Sequence, residues 1–267
     1  MLFKLHVTGL PSRCVNVRRL IVAGKVKRRV GIDTFSLAEG RIVARKYEVV
    51  CKLGSGWEGE VYKIRERTTG IERAAKLFFP HRNPGNKTSK FYAKKLHRLR
   101  HCSIVIQYHT EEHITYYKTP VTVLVSEYVE GDLLSNFLKQ QPGKRFSPFQ
   151  AIHLLHALTK GIEEIHKLGE YHGDLHPENI IVRRYGLSFD LKLLDMFHWS
   201  GPKKQNMQED ICDLIRIFYD VLGGARYYAQ QPQQIKKICC GLKRSLLLKK
   251  FKTTKQLREH LETLRWT

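Results

Sequence analysis

The residues best suited to chemistry lie in one short segment, Tyr171-His-Gly-Asp-Leu-His-Pro-Glu-Asn179. Four residues separate the carboxylate of Asp174 from the carboxamide of Asn179. In a phosphoryl-transfer loop with this spacing, the aspartate accepts the proton of an attacking hydroxyl and the asparagine helps to hold Mg²⁺ against the phosphates. The segment therefore predicts transfer of a phosphoryl group to a hydroxyl.

A second segment, Gly54-Ser-Gly-Trp-Glu-Gly-Glu-Val61, has a glycine spacing that suits phosphate contact. Glycines at a turn let backbone N–H groups approach phosphate oxygens without a Cβ in the way. A dinucleotide-binding turn would continue into a helix, whereas the residues after Val61 are strand-like. The segment predicts a β-hairpin over a triphosphate, with an ordinary glycine-rich hairpin as the alternative. Its candidate nucleotide contacts are Gly54, Ser55, Gly56, Gly59 and Val61.

Two charged residues stand in apolar surroundings. Lys76 lies between Ala74-Ala75 and a Leu-Phe-Phe run, where its burial is costly unless an anion meets it. Asp195 ends the apolar run that begins at Leu191, and a carboxylate at a strand end suits metal binding. The alternatives are a lysine on the exposed face of an edge strand and an aspartate in a surface turn.

Taken in chain order, the glycine hairpin, the lysine strand, the Asp174–Asn179 loop and the Asp195 strand resemble those of the protein kinase family. The resemblance extends over about residues 47–261. The chain resembles a compact, divergent, bacterial-looking member of the eukaryotic-type Ser/Thr kinases. The resemblance implies an α+β, two-lobed fold with a small antiparallel β-rich N-lobe and a mainly helical C-lobe. It also implies three parts: a basic N-terminal extension (1–46), an N-lobe with hinge (47–130) and a shortened C-lobe (131–267).

The resemblance further implies ATP and Mg²⁺ as cofactors, and it assigns a role to each polar site residue. Lys76 would position the phosphates, Asp174 would orient or deprotonate the nucleophile, and Asn179 with Asp195 would bind Mg²⁺. The acceptor would be a hydroxyl, most simply on a serine or threonine side chain of a protein that the sequence does not identify.

Other elements of the family also have counterparts. The segment 123–133 resembles the hinge, and the backbone of Glu127 and Val129 would meet the adenine edge, with Ala74 in the same nucleotide site. Apolar residues at helical spacing predict a long helix over 147–167. Asp210 would hold the backbone of the catalytic loop.

The chain departs from the family pattern at the partner of the lysine. Kinases orient this lysine with a glutamate on the next helix, yet residues 73–110 contain no Asp or Glu. Tyr92 falls at the place of the glutamate. Glu111 and Glu112, expected on or near the next strand, are the substitutes that the sequence offers. Glu58 is also unusual, because a carboxylate at the hairpin tip repels phosphates unless it points outward.

Three further departures concern control and substrate docking. Gly173 stands where many kinases have an arginine that pairs with a phosphorylated activation loop. The triplet Asp195-Met-Phe197 lacks the usual glycine, which reduces the freedom of that segment to flip. Asp195 and Asp210 are too close in sequence for a full activation segment, so docking of a protein substrate in the usual groove is not assured.

Two rival functions therefore stay open. The His-Gly-Asp-Leu-His-Pro string resembles the loop of aminoglycoside and choline kinases, which phosphorylate small molecules. The missing helix glutamate and the altered Asp-Met-Phe triplet suit a pseudokinase that binds nucleotide and acts as a scaffold. Retention of all four polar catalytic positions argues against the second rival, and the complete glycine hairpin argues against the first.

Composition sets broader limits. The 267 residues, 42% hydrophobic, suffice for one two-lobed domain or two small ones. The charge of +22 is spread over the chain and would attract nucleotides, nucleic acid or anionic lipid, although an ordinary solvated surface is an equal alternative. Six cysteines without C-x-x-C spacing argue against structural zinc and indicate reduced thiols. No apolar run approaches the roughly 18 residues of a transmembrane segment, and no secretion signal is evident, so a cytoplasmic protein is expected.

Residues 1–46 contain short β-like segments, at Leu2 to Val7, Arg19 to Val22 and Lys25 to Val30. They are expected either to cap the N-lobe or to form a small docking module.

Overall fold

The structure, a computed structural model, describes residues 31–186, 188–197 and 201–265. The three β-like segments expected before residue 31 lie outside these ranges. No helix within the described ranges is long and apolar enough to cross a lipid bilayer.

The first part of the described chain is a six-stranded antiparallel sheet with one helix against it, as expected for the N-lobe. The order across the sheet is β1-β2-β3-β4-β6-β5. Its elements are β1 (Ile42–Val43), β2 (Tyr47–Ser55), β3 (Gly59–Glu66), β4 (Glu72–Phe78), α1 (Lys87–Arg98), β5 (Tyr108–Tyr116) and β6 (Thr119–Glu127).

Strand β4 places Lys76 at the centre of this sheet. Lys76 pairs with Val61 of β3 on one side and with Leu124 of β6 on the other. Because side chains alternate between the two faces of a strand, Lys76 points away from Ala75 and Leu77, which are fully buried in a core on the opposite face. The lysine therefore lies on the face that carries α1, not on the exposed face of an edge strand.

Residues 32–37 cover the opposite, apolar face of the sheet. Phe35 is fully buried, stacks on Phe79 with ring centroids 5.4 Å apart, and meets the ring of Tyr116 edge-on at 5.3 Å. Glu60, also buried, accepts hydrogen bonds from the Thr34 hydroxyl at 2.9 Å and from the Phe35 amide at 3.3 Å. Part of the segment that the sequence analysis placed in the extension thus completes the core of the N-lobe.

The remainder of the chain is mainly helical, as expected for the C-lobe. It contains β7 (Asp132–Leu133), α2 (Leu134–Gln140), α3 (Pro148–Lys167), β8 (Ile180–Tyr185), β9 (Phe189–Leu193), α4 (Lys203–Val221), α5 (Ala225–Tyr228), α6 (Gln233–Cys239), α7 (Arg244–Lys250) and α8 (Thr254–Glu262). Strands β7, β8 and β9 form a small antiparallel sheet.

Helix α3 confirms the helix expected over 147–167. It begins after Ser147, whose hydroxyl accepts from the Gln150 amide at 3.3 Å while the Gln150 side chain accepts from the Ser147 amide at 3.0 Å. This reciprocal capping fixes the start of the helix. Its apolar face is buried against α4 and α8 in the core of the C-lobe.

One buried lysine attaches α1 to the C-lobe. Lys95 is 3% exposed, and its ammonium donates to the carbonyl of Phe197 at 2.8 Å and to that of His172 at 3.4 Å. It also lies 4.2 Å from the centre of the Tyr171 ring. Burial outweighs the attraction of Asp210 and lowers the pKa of Lys95 to about 8.

The packing of residues 32–37 predicts the effect of truncating Phe35. Phe35→Ala should lower the free energy of unfolding by about 3 to 5 kcal/mol, because it leaves a cavity between Phe79 and Tyr116. Urea denaturation measures this change. The matched control is Phe149→Ala, whose ring is 62% exposed, and it should change stability by about 0.5 kcal/mol or less. Equal stability of the two variants would contradict the packing described here.

The low pKa of Lys95 predicts a rise in stability with pH. Between about pH 8 and the usual lysine value of 10.5, the unfolded chain holds a proton that the folded chain has released, so the free energy of unfolding increases as pH rises. Lys95→Met should remove this increase, which amounts to at most about 3 kcal/mol for a shift of this size.

Urea denaturation at several pH values between 8 and 10.5 compares the slopes. Lys94→Met, a change at an exposed position of the same helix, should keep the wild-type slope. A Lys95→Met protein with the wild-type slope would show that Lys95 has an ordinary pKa.

Candidate active site

The glycine hairpin between β2 and β3 is fixed to strand β4 at its returning end. A Cβ at Gly59 would lie 1.9 Å from the Leu77 carbonyl oxygen, so only glycine allows this approach. The Phe79 amide donates to the Glu58 carbonyl at 2.8 Å. In contrast, nothing lies within 4 Å of the Cβ positions of Gly54 and Gly56. The space beside these two glycines is therefore open to a ligand.

Lys76 lies between two carboxylates. Its ammonium is 2.8 Å from Asp195 Oδ1 and 2.9 Å from Glu58 Oε2. Burial alone would lower the pKa of Lys76, but the nearby charges of Asp195 and Glu58 prevail and raise it above its usual value. The lysine is therefore a cation, and its neighbours are a residue of the hairpin tip and the expected metal-binding aspartate.

The substitutes that the sequence offered for the helix glutamate were wrong. Glu112 pairs with Lys46 at 2.9 Å, and Glu111 lies 3.3 Å from the imidazole of His113. Glu111 is in register with Leu124, and Leu124 with Lys76, so two strand spacings, or roughly 10 Å, separate Glu111 from the lysine. The unusual Glu58 carboxylate does not point outward, since it contacts the Lys76 ammonium.

Tyr92 on α1 occupies the side of the lysine where the family has its glutamate. Its ring centre is 4.9 Å from the Lys76 ammonium, and its hydroxyl donates to Asp195 Oδ1 at 3.3 Å. Burial raises the pKa of Tyr92 far above its usual value. The phenol therefore stays neutral and contributes no negative charge.

Asp174 and Asn179 contact each other in the loop between α3 and β8. The Asn179 amide donates to the Asp174 backbone carbonyl at 2.8 Å and to its carboxylate at 3.1 Å. The Asp174 side chain is 49% exposed, so a hydroxyl from solvent can reach it. The loop thus combines a fixed amide with an accessible carboxylate.

Buried groups hold this loop from behind. As expected, Asp210 of α4 accepts from the backbone amides of His172 and Gly173, both at 2.8 Å. Burial lowers the pKa of His172 to about 4, so its imidazole is neutral at physiological pH. The ring is 2.9 Å from the Leu194 carbonyl through Nε2, and its Nδ1 accepts from the Asp174 amide at 3.3 Å. The position of Asp174 therefore depends on a buried hydrogen-bonded frame.

The expected magnesium ligands belong to backbone segments that are hydrogen-bonded to each other. The Leu194 amide donates to the Asn179 carbonyl at 2.8 Å, which brings Asp195 next to the asparagine. A carboxylate and an amide are the oxygen donors that Mg²⁺ prefers, and this ion takes its other ligands from water and phosphates. Within the described residues no group of three or more His, Cys, Asp and Glu is arranged to hold a metal. The pair thus fits Mg²⁺ carried by a nucleotide better than a metal held by protein alone.

The hinge residues lie at and just after the end of strand β6, beside Ala74 of β4. Ala74 pairs with Ser126, directly before Glu127. The Glu127 amide donates to the Gln107 carbonyl at 2.8 Å, and its carboxylate is 3.0 Å from the Lys192 ammonium. Val129 is buried. These contacts fix the chain that connects β6 to the C-lobe beside Ala74.

A cleft of about 420 Å³ opens beside the charge cluster, between the hairpin tip and α1. Its lining includes Trp57, Glu58, Arg82, Tyr92, Met196 and Phe197. Sequence reasoning missed two residues of this region, Glu58 as the partner of Lys76 and Lys95 as the attachment of α1. The absence of acids over 73–110 was the available signal for the first.

Comparison with known proteins agrees with this geometry. The model of the protein kinase domain matches residues 47–240. Protein kinase PVPK-1 of Phaseolus vulgaris is 30% identical over 171 residues, or 61% of this chain and 27% of its own length. Calcium-dependent protein kinase 4 of Plasmodium falciparum is 30% identical over 188 residues, or 67% of this chain and 34% of its own length. The chain thus spans about a quarter to a third of these relatives.

Solved structures show the same fold. The kinase domain of Mycobacterium tuberculosis PknI, crystallised as a double mutant, has a TM-score of 0.58 at 15% sequence identity, with 85% of this chain and 98% of that chain covered. The family match extends over well more than half of the sequence. The chain therefore belongs to the protein kinase domain family, a family of phosphotransferases with the two-lobed α+β fold described above.

Proposed function

We propose that the chain transfers the γ-phosphoryl group of Mg-ATP to a hydroxyl, as a Ser/Thr protein kinase. One observation carries the proposal: the four polar residues chosen from sequence form one continuous path. Lys76 is 2.8 Å from Asp195, Asp195 follows the residue that hydrogen-bonds Asn179, and Asn179 contacts Asp174. A nucleotide phosphate chain lying along this path would meet a cation, two metal ligands and a base in succession.

Each residue has a distinct task in this proposal. Lys76 donates its N–H groups to the α- and β-phosphates, and Asp195 with Asn179 supplies oxygens to Mg²⁺, which neutralises charge on the phosphates when bound. Asp174 accepts the hydroxyl proton of the acceptor, and its partial exposure leaves room for that hydroxyl. Catalysis then depends on positioning and electrostatics more than on covalent chemistry.

The nucleotide would lie between hairpin and hinge. Gly54, Ser55 and Gly56 would face the phosphates, since the space beside the two glycines is empty, with Gly59 holding the hairpin close to β4. The adenine would meet the backbone at Glu127 and Val129. Val61 and Ala74 would contact its ring from the sheet.

A small-molecule acceptor is the second candidate, and one observation favours it. Helix α4 begins at Lys203, so only residues 196–202 connect Asp195 to it. This connection is too short for the family's peptide-docking segment. Relatives named as Ser/Thr protein kinases favour the protein acceptor, so both acceptor classes belong in the test.

The assignment of Asp174 predicts a selective loss of turnover. With radiolabelled ATP and Mg²⁺, the wild-type protein should label a generic Ser/Thr-rich protein or itself. Asp174→Asn should lower kcat by about 10²- to 10⁴-fold, because it removes the proton acceptor, while nucleotide affinity stays close to wild type. Asp190→Asn is the matched control. Asp190 lies on β9 and faces Arg183 of β8 at 3.6 Å, so its replacement should keep wild-type turnover.

Two further assays test the class of acceptor and the requirement for Mg²⁺. Replacing the protein acceptor with aminoglycosides or choline tests the small-molecule alternative, and chelation of Mg²⁺ by EDTA should stop transfer. Equal turnover in Asp174→Asn and Asp190→Asn would refute the role of Asp174. Nucleotide binding without transfer to any acceptor would indicate the scaffold function instead.

A further inference from the structure

We propose that Glu58, at the tip of the glycine hairpin, is the positioning residue for Lys76, in place of the helix glutamate that this chain lacks. This inference rests on the proposed phosphotransfer function and deepens it. It assigns to the hairpin a task that the family assigns to a helix.

The argument begins with the partners of Lys76 once Asp195 binds a metal. In the structure the ammonium contacts two carboxylates, Asp195 and Glu58. If Asp195 held Mg²⁺, its charge would be shared with the metal and would no longer orient the lysine. Among the described residues that form an ion pair with Lys76, Glu58 is then the carboxylate that remains.

The helix offers no alternative anion. Tyr92 at the glutamate position is a neutral phenol whose ring faces the ammonium at 4.9 Å. Residues 73–110 contain no Asp or Glu, and Glu111 and Glu112 are engaged elsewhere. Glu58 therefore supplies the carboxylate partner for Lys76 that α1 lacks.

The carboxylate of Glu58 is held in place by the backbone around it. The Phe79 amide, three residues after Lys76 on the same stretch of chain, donates to the Glu58 carbonyl at 2.8 Å. On one side Gly59 packs against Leu77, and on the other the Arg82 guanidinium stacks on the Trp57 ring at 3.2 Å from its centre. Glu58 and Lys76 are thus anchored to one segment.

The Lys76 ammonium has enough N–H donors to bond Glu58 and phosphate oxygens at the same time. A lysine has three N–H groups, and Asp195 and Glu58 each accept from it. With Asp195 engaged by a metal, one donor would stay on Glu58 while two would serve phosphate oxygens. Because the Glu58 carbonyl is hydrogen-bonded to the Phe79 amide, the counter-charge would keep its place beside Lys76.

The decisive experiment moves the carboxylate from the hairpin to the helix. Glu58→Gln should lower kcat by about 10- to 100-fold, the scale of a misplaced catalytic group, with a smaller change in nucleotide KM. Adding Tyr92→Glu to Glu58→Gln puts a carboxylate at the family position beside Lys76 and should recover most of the loss. Glu48→Gln, on the neighbouring strand β2, is the matched control and should leave kcat unchanged.

A second measurement needs no nucleotide and no activity. If Glu58 and Lys76 form a pair, then Glu58→Gln and Lys76→Met should shift the urea midpoint by less in combination than the sum of their separate shifts. Strictly additive shifts would overturn the pairing, whatever the activity.

The outcomes separate this inference from the proposed function. Wild-type kcat in Glu58→Gln, or tighter nucleotide binding with faster turnover, would overturn the positioning role and leave the phosphotransfer proposal intact. A loss that Tyr92→Glu does not restore would also overturn it, since a hairpin distortion would explain the loss. A wild-type protein that transfers no phosphoryl group would refute the function, and the midpoint analysis would then report on the ion pair alone.

Discussion

One ammonium between two carboxylates is the interaction around which the N-lobe is arranged. Lys76 is mostly buried, with a side chain 12% exposed, and a buried cation is stable only when anions meet it. Asp195 and Glu58 meet it from the C-lobe and from the hairpin. Two negative charges and one positive charge give the cluster a net charge of −1. In the proposed function, Mg²⁺ held by Asp195 would offset this negative charge before a polyphosphate binds.

In the rest of the site, the supporting residues are buried and the Asp174 carboxylate is exposed. Asp210, His172 and Asn179 are buried. Asp210 accepts from the His172 amide, His172 accepts from the Asp174 amide, and the Asn179 side chain donates to the Asp174 carbonyl. Burial keeps His172 neutral, so its two ring nitrogens serve one as donor and one as acceptor. Asp174, which these residues support, is half exposed. In the proposed function this exposure would let a hydroxyl reach the base, while the buried supports keep its position fixed.

Features with short-range causes could be predicted from the sequence. The strand alternation that turns Lys76 into the cleft, the Ser147 cap of α3 and the Asp174–Asn179 spacing all depend on neighbours within a few residues. Contacts between distant segments could not. Lys95 was one of many basic residues on α1, and its burial depends on carbonyls 77 and 102 residues away. Glu111 was a candidate partner for Lys76 because residues 73–110 contain no acid, yet it lies two strands away.

The departures from the family pattern are consistent with one another. The Phe197 amide donates to the His172 carbonyl at 3.0 Å, and the Phe197 carbonyl accepts from Lys95 at 2.8 Å. A segment held on both sides in this way does not benefit from the flexible glycine that the triplet has lost. Helix α1 carries no glutamate and is joined to the same segment by Lys95, so moving it would break a buried contact without releasing a Lys–Glu pair. With helix and triplet both fixed, Lys76 takes a carboxylate partner from the hairpin tip, which is itself fixed to the chain after β4 through the Glu58 carbonyl.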